Sequence, residues 1–260
     1  MPEFGADQPL YVISPPKLDS EAPLPTIEQI ASERIAAMKS QVSQGPYALA
    51  GFCIGGVVAY EVARQLRAQG ESVKTVVMID PEIGSHSEAL CLRAVDWIGE
   101  RRQMNPSEKI ERFMTAQRKL SRLRQVKKSP LKEKRDFLVN SIRKLRGNGE
   151  TPSTDSSDVP AADDSPNGIQ LDAFQWLATA YRPARYEGRV KLLYTAEQLE
   201  ATPHLLREWR KAAPNLRTKR IVGRHLTAIT THGAAIVAAI RAELKMIQML
   251  SIGLCEMFML

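Results

Sequence analysis

At 260 residues, with 43% apolar and 25% charged side chains, the chain can bury a full core as one domain or one domain carrying a large insertion. No apolar run reaches the roughly 20 residues that span a bilayer, no basic-then-apolar leader pattern opens the chain, and three cysteines without metal-ligand spacing (Cys53, Cys91, Cys255) fit a reducing cytoplasm and no bound metal. The formal charge of +7 is local: residues 101–146 hold 16 Lys and Arg against 4 Asp and Glu, a balance of +12 that leaves the rest at −5, and without interleaved aromatics this is no nucleic-acid surface.

Along the chain, PLYVIS (residues 9–14) reads as a short strand, followed by the proline-punctuated loop PPKLDSEAPLP. A helix is expected from Thr26 as N-cap, with Glu28 near its start and Ile27, Ile30, Ile35 and Met38 on its apolar face. Tyr47 to Ala50 form a strand-like run. Beyond Cys53, Val58, Val62 and Leu66 recur four apart with Ala59 and Ala63 beside them, one face of a helix. VKTVVMID, ending at Asp80, is a β-branched run suited to a strand buried on both faces of a parallel sheet.

From Ser85 to about Leu145 the pattern turns helical and charged, with Ile110, Phe113, Met114 and Leu120 on one stripe. Residues 150–168, rich in Ser, Asp and Pro, are expected to be disordered. LDAFQWLATAYRPARY resumes a helix, RVKLLYTAE is a buried strand and HLLREWRKAA a helix. TKRIVGRHL is a strand leading to His225 in a loop, and THGAAIVAAIRAELKMI is the last helix. Strands alternating with helices on both sides of a long helical insertion define an α/β chain with a mostly parallel sheet, helices on both faces.

Chemistry is concentrated at LAGFCIGG. Gly51, Gly55 and Gly56 bracket Cys53 between a strand and a helix, the G-x-S-x-G nucleophile elbow with cysteine replacing serine. Such a turn exposes the thiol at the tip of its strand. The following helix dipole favours a thiolate, and the Ile54 N–H can donate to a tetrahedral oxyanion. A catalytic thiol needs a base. Of the four histidines, His86 and His204 sit in polar or helix-start contexts. His225 stands after an apolar strand end, where the chain order nucleophile–acid–histidine puts the base, and His232 is its rival. The orienting acid has two candidates, Asp80 and Glu197, each after a strand; spacing does not separate them.

The chain resembles the thioesterase domains that end non-ribosomal peptide and polyketide synthases, members of the α/β-hydrolase superfamily. The resemblance is carried by GPYALAGFCIGGVVAYEVARQLRAQGE, VVMIDP, YEGRVKLLYTAE and VGRHLTAIT. It implies Cys53 as nucleophile, Asp80 as acid and His225 as base, and it ranks Asp80 above Glu197. It also implies an acyl or peptidyl thioester substrate presented on the phosphopantetheine of a carrier protein, with no bound cofactor. Release would follow by hydrolysis or, because a thioester acyl-enzyme stays reactive toward amines, by cyclisation. Residues 1–84 then form the first part of the core, 85–175 a helical lid and 176–245 the second part with the histidine loop; 246–260 are an apolar tail without an assigned role. The basic stretch 101–146 either steers an acidic carrier protein or is a solvated helical face.

Against that pattern the N-terminal strand and its glycine-rich loop, which completes the oxyanion hole in the family, look missing, and the elbow strand is expected at an apolar sheet edge. A truncated, inactive thioesterase remnant is therefore one alternative. Another is a cysteine hydrolase or acyltransferase of the dienelactone hydrolase or polyester synthase kind, which share G-x-C-x-G-G and would make Glu197 the acid.

Overall fold

The computed structural model describes residues 11–18, 22–128 and 166–248. Thr26 opens α1 (Ile27–Gln41): its hydroxyl accepts the Gln29 N–H while the Gln29 amide oxygen accepts the Thr26 N–H, a reciprocal cap that satisfies two orphan donors. The face carrying Ile27, Ile30, Ile35 and Met38 is buried, against α2. A β–α–β unit follows, built of β1 (Tyr47–Phe52), α2 (Ile54–Ala68) and β2 (Val73–Ile79). Helices α3 (His86–Arg101), α4 (Pro106–Lys128) and α5 (Pro166–Ala180) lie between β2 and β3 in the chain. The remainder comprises β3 (Val190–Tyr194), α6 (Ala196–Ala201), α7 (Leu205–Ala212), β4 (Leu216–Arg220), α8 (His225–Thr230) and α9 (Gly233–Gln248).

Among the described residues the sheet has four strands in the order β1-β2-β3-β4, all parallel. Its two-residue period sorts side chains between two cores. Tyr47, Leu49, Val76, Met78, Val190 and Leu192 face the core shared with α1 and α2. Ala48, Ala50, Val77, Ile79 and Leu193 face the one filled by Ile236, Ala239, Ile240 and Leu244 of α9. Both faces are therefore covered, which is why these strands are continuous apolar runs and do not alternate. With every connection a crossover, the C-terminal ends of β1, β2 and β3 meet at one edge, where Cys53, Asp80 and Thr195 follow in turn.

Several segments differ from the sequence expectation. Tyr11 to Ser14 form no strand; Tyr11 and Ile13 pack on the core without joining a ladder, and the other two residues of that stretch lie outside the described ones. β4 stops at Arg220, because a turn through Gly223 (φ +99°) intervenes before His225, which is the first residue of α8 and not part of a loop. Most of the stretch expected to be disordered lies outside the described residues. Its last three positions, 166–168, begin α5 instead, with Pro166 at the first helical position, where a missing N–H costs nothing. Basic residues beyond Lys128 and the tail beyond Gln248 are likewise outside the described part.

Tyr60 and Glu61 of α2 are fully buried and anchor the chain that returns to β3. The Tyr60 hydroxyl lies 2.8 and 2.9 Å from the carbonyls of Ala184 and Ala212, and its ring meets Trp209 edge-on. Glu61 accepts hydrogen bonds from Arg64, Gln65 and the Tyr181 hydroxyl, a satisfied buried carboxylate held below its ordinary pKa by those donors against the opposing effect of burial. Tyr60→Phe leaves the Ala184 carbonyl without its donor and should lower stability by about 1–3 kcal/mol, read as a shifted midpoint in urea with an unchanged slope.

Candidate active site

The elbow is a strained backbone position held by close packing. Cys53 has φ +52° and ψ −123°, a combination rare for a residue with a side chain. It is fixed on one side by its own N–H to the Ile79 carbonyl at 2.9 Å, and on the other by the Gly56 N–H to its carbonyl at 3.1 Å. Strain of this kind persists where the surroundings over-determine it. The turn closes only because Gly51 has no side chain: a Cβ there would lie 2.1 Å from the Gly55 carbonyl oxygen. Gly56 is also crowded, its Cβ position being 2.9 Å from the Gly51 oxygen, whereas Gly55 has open space. Gly51→Ala should therefore prevent folding or cost well over 3 kcal/mol, while Gly55→Ala should stay within about 1 kcal/mol, as thermal unfolding of the two variants will show.

Asp80 follows β2, also at positive φ (+48°), and is completely buried. Its carboxylate is saturated: Oδ1 accepts the Thr195 N–H at 2.8 Å, and Oδ2 accepts the Thr195 hydroxyl at 3.0 Å and the His225 Nδ1–H at 2.9 Å. With Nδ1 committed to Asp80, the other ring nitrogen of His225, Nε2, is left for the Cys53 thiol, which also interacts with this imidazole. Phe52 stacks on the ring with centroids 4.6 Å apart. The bond to Asp80, then that to Cys53, pushes the His225 pKa up to about 10 against the opposing effect of burial.

Glu197 occupies a different place. Its Oε1 accepts two hydrogen bonds from the Arg224 guanidinium, at 2.9 and 2.7 Å, and its Oε2 accepts the backbone N–H of His225 at 3.0 Å. These donors, Arg224 first, hold its carboxyl below the ordinary range. Glu197 thus grips the main chain of the histidine segment and leaves the imidazole to Asp80. Among the other histidines, His232 sits in the turn between α8 and α9, His86 starts α3, and His204 precedes α7 with Nε2 3.3 Å from the Ile83 carbonyl. None of these three takes part in the Cys53–His225–Asp80 cluster.

A cavity of about 540 Å³ opens beside the thiol. Cys53, Ile54 and Gly55 form its wall with apolar side chains that include Ile13, Ile30, Val58 and Phe174. Thr195, Phe52 and Glu82 are the residues of this region that sequence reasoning did not single out. The one available signal was for Thr195, since T-A-E-Q after a strand is an N-cap pattern and its hydroxyl does accept the Gln198 N–H. Among the described residues no group of three or more His, Cys, Asp or Glu is placed to hold a metal, and no helix is long and apolar enough to cross a membrane.

A parallel sheet covered on both faces, with a strand–turn–helix elbow at its C-terminal edge, defines the α/β-hydrolase type of fold. The family model for the thioesterase domain matches residues 6–244, and the chain belongs to that family. Among solved structures, the chain is similar to the NocB thioesterase domain from the nocardicin cluster, 20% identical, with a TM-score of 0.50 over 94% of this chain and 79% of that one. At this identity the likeness speaks for the fold. A 71-residue segment, 27% of the chain, is 45% identical to polyketide synthase PksR of Bacillus subtilis, and 99 residues, 37% of the chain, are 34% identical to atromentin synthetase invA2 of Paxillus involutus. These alignments cover only 3% and 10% of the two relatives' lengths.

The raised pKa of His225 links the site to stability. A group whose pKa rises on folding, here from 6.5 to about 10, stabilises the native state fully below pH 6.5 and loses that contribution as pH climbs through about 10. The stability gap between the unaltered chain and His225→Gln should accordingly be widest near pH 6 and narrow toward pH 10–11. Urea titrations across that range test it.

Proposed function

We propose that this chain is a thioesterase that releases an acyl or peptidyl chain from a carrier-protein phosphopantetheine thioester, with Cys53, His225 and Asp80 as a catalytic triad. The observation that carries the reading is the continuous contact from the buried Asp80 carboxylate through the His225 ring to the Cys53 thiol, at the mouth of an apolar cavity. Family membership supports the thioester chemistry. Relatives that are polyketide synthases and synthetases, far longer than this chain, support a substrate handed over from a carrier domain.

In the first half-reaction His225 takes the Cys53 proton and the sulfur attacks the thioester carbonyl. The Ile54 N–H, at the start of α2 where helical donors have no intrahelical acceptor, faces the developing oxyanion. His225 then returns the proton to the departing phosphopantetheine sulfur as the old C–S bond breaks. In the second half-reaction water, or a nucleophile on the chain itself, gives its proton to His225 and displaces Cys53. Asp80 keeps Nδ1 protonated and stabilises the imidazolium. Neither step calls for a cofactor. The acyl chain lies in the apolar cavity, and α3–α5 act as its lid. Arg101 and Arg102 at the end of α3, with Arg112, Arg118 and Lys119 of α4, present positive charge to an acidic carrier domain.

Exposure to a small acyl thioester, followed by peptide mapping, should place the acyl mass on the Cys53 peptide. Cys53→Ala should abolish the adduct, His225→Ala should slow its formation about 10²–10⁴-fold, and Asp80→Asn should cost far more than Glu197→Gln. An adduct on another residue, or a rate indifferent to His225, would overturn the triad. A larger loss from Glu197 than from Asp80 would favour the dienelactone hydrolase kind of site.

A further inference from the structure

Thr195 takes no part in the proton transfers described so far, yet both of its donors are spent on the carboxylate that supports them. Thr195 and Asp80 are fully buried, and Gln198 beside them is 5% exposed. The Thr195 N–H reaches Asp80 Oδ1 at 2.8 Å and its hydroxyl reaches Oδ2 at 3.0 Å. A carboxylate turns about its terminal bond with little preference of its own. One donor leaves it free to pivot, whereas two, one on each oxygen, fix its plane as a bidentate guanidinium does. The oxygen that takes the hydroxyl is also the one that takes the His225 Nδ1–H, at 2.9 Å.

The grip is itself held. The Thr195 oxygen accepts the Gln198 N–H at 3.1 Å, so its rotamer is set by the cap of α6 and its one proton is left for Asp80. The Gln198 amide donates to the Pro81 carbonyl at 2.6 Å, and the Asp80 N–H donates to the Leu193 carbonyl at 2.7 Å. Residues 193–198 thus fasten Asp80 at its carboxylate and on both sides of its main chain, whose positive φ (+48°) needs such support. We propose that Thr195 is a positioning residue of this site: its hydroxyl fixes the Asp80 carboxylate with Oδ2 toward His225, and through Asp80 it sets the imidazole that activates Cys53. The inference rests on the triad of the proposed function, whatever acyl group the site takes. Valine has nearly the outline of threonine, so Thr195→Val removes the hydroxyl proton without opening space for water to replace it. The other charged groups around His225 are untouched by that change: Glu82 beside the ring, and Glu197 with Arg224 at its main chain.

Iodoacetamide alkylation of Cys53 at neutral pH, followed on its own peptide by mass spectrometry, reads activation of the thiol without a thioester. Thr195→Val should slow it about tenfold and Thr195→Ser, which keeps the hydroxyl, by no more than about twofold, the scale of coupling within one hydrogen-bond network. In an Asp80→Ala background Thr195→Val should add nothing further, because the residue through which it acts is gone. Where a variant does not fold, Thr195→Ala replaces the valine and Asp80→Asn the alanine. A Thr195→Val rate equal to that of the unaltered chain overturns the proposal. So does the same slowing with and without the Asp80 carboxylate, which loss of the helix cap alone would give. Slowing by Asp80→Ala but not by Thr195→Val leaves the triad standing without Thr195, and indifference to Asp80→Ala removes both. Coupled slowing of alkylation, with no acylation of Cys53 by any thioester, keeps the role of Thr195 and sinks the thioesterase reading.

Discussion

The arrangement at the sheet edge depends on one buried carboxylate. Asp80 is removed from water at the end of β2, where an unpaired charge would be untenable. It is met there by three donors from two other elements: the N–H and hydroxyl of Thr195, which follows β3, and the His225 ring, which opens α8. A group that needs those donors forces the ends of β2 and β3 and the start of α8 into one place. Thr195 meets a second obligation at the same time, since its oxygen caps α6 while its proton goes to Asp80.

A second constraint places the thiol. The main chain at Cys53 adopts a conformation that a cysteine disfavours, and the turn closes because Gly51, lacking a Cβ, lets the Gly55 carbonyl come against its backbone. The consequence is a sulfur projecting from the tip of β1 toward the strand's neighbour, with the N-terminus of α2 beneath it. Parallel pairing in register, Phe52 opposite Ile79, then sets the thiol beside the residue that follows β2. The imidazole completes the contact from the far end of the sheet order.

Three carboxylates surround His225, and their environments divide the labour among them. Asp80, dry and saturated, faces Nδ1. Glu197, wet and paired with Arg224, holds the backbone of the same residue and stiffens the segment that carries the ring. Glu82, half-buried, lines the cavity beside the thiol and a second cavity next to it. The same functional group therefore meets three different demands, decided by solvent and donors rather than by residue type.

Much of the fold was legible because its signals are local. The Thr26 cap, the apolar face of α1, the four-residue recurrence in α2 and the unbroken apolar β2 each follow from propensity and periodicity within a dozen residues. Gly51 and Gly56 of the elbow belong to the same class, since a turn this tight leaves no room for a Cβ at either. The strand read at residues 9–14 failed for a complementary reason: extended residues become a strand only when a ladder partner exists, and pairing is not a local property. What the sequence by itself determined was therefore the thiol, its glycine bracket and a short roster of histidines and acids. Spacing left Asp80 and Glu197 level and the resemblance only ranked them; which carboxylate meets the imidazole and which meets its main chain is decided by the tertiary register of β2, β3 and β4, because both stand after a strand. Glu82 carried no sequence signal at all, for its place on the cavity wall is a fact about space.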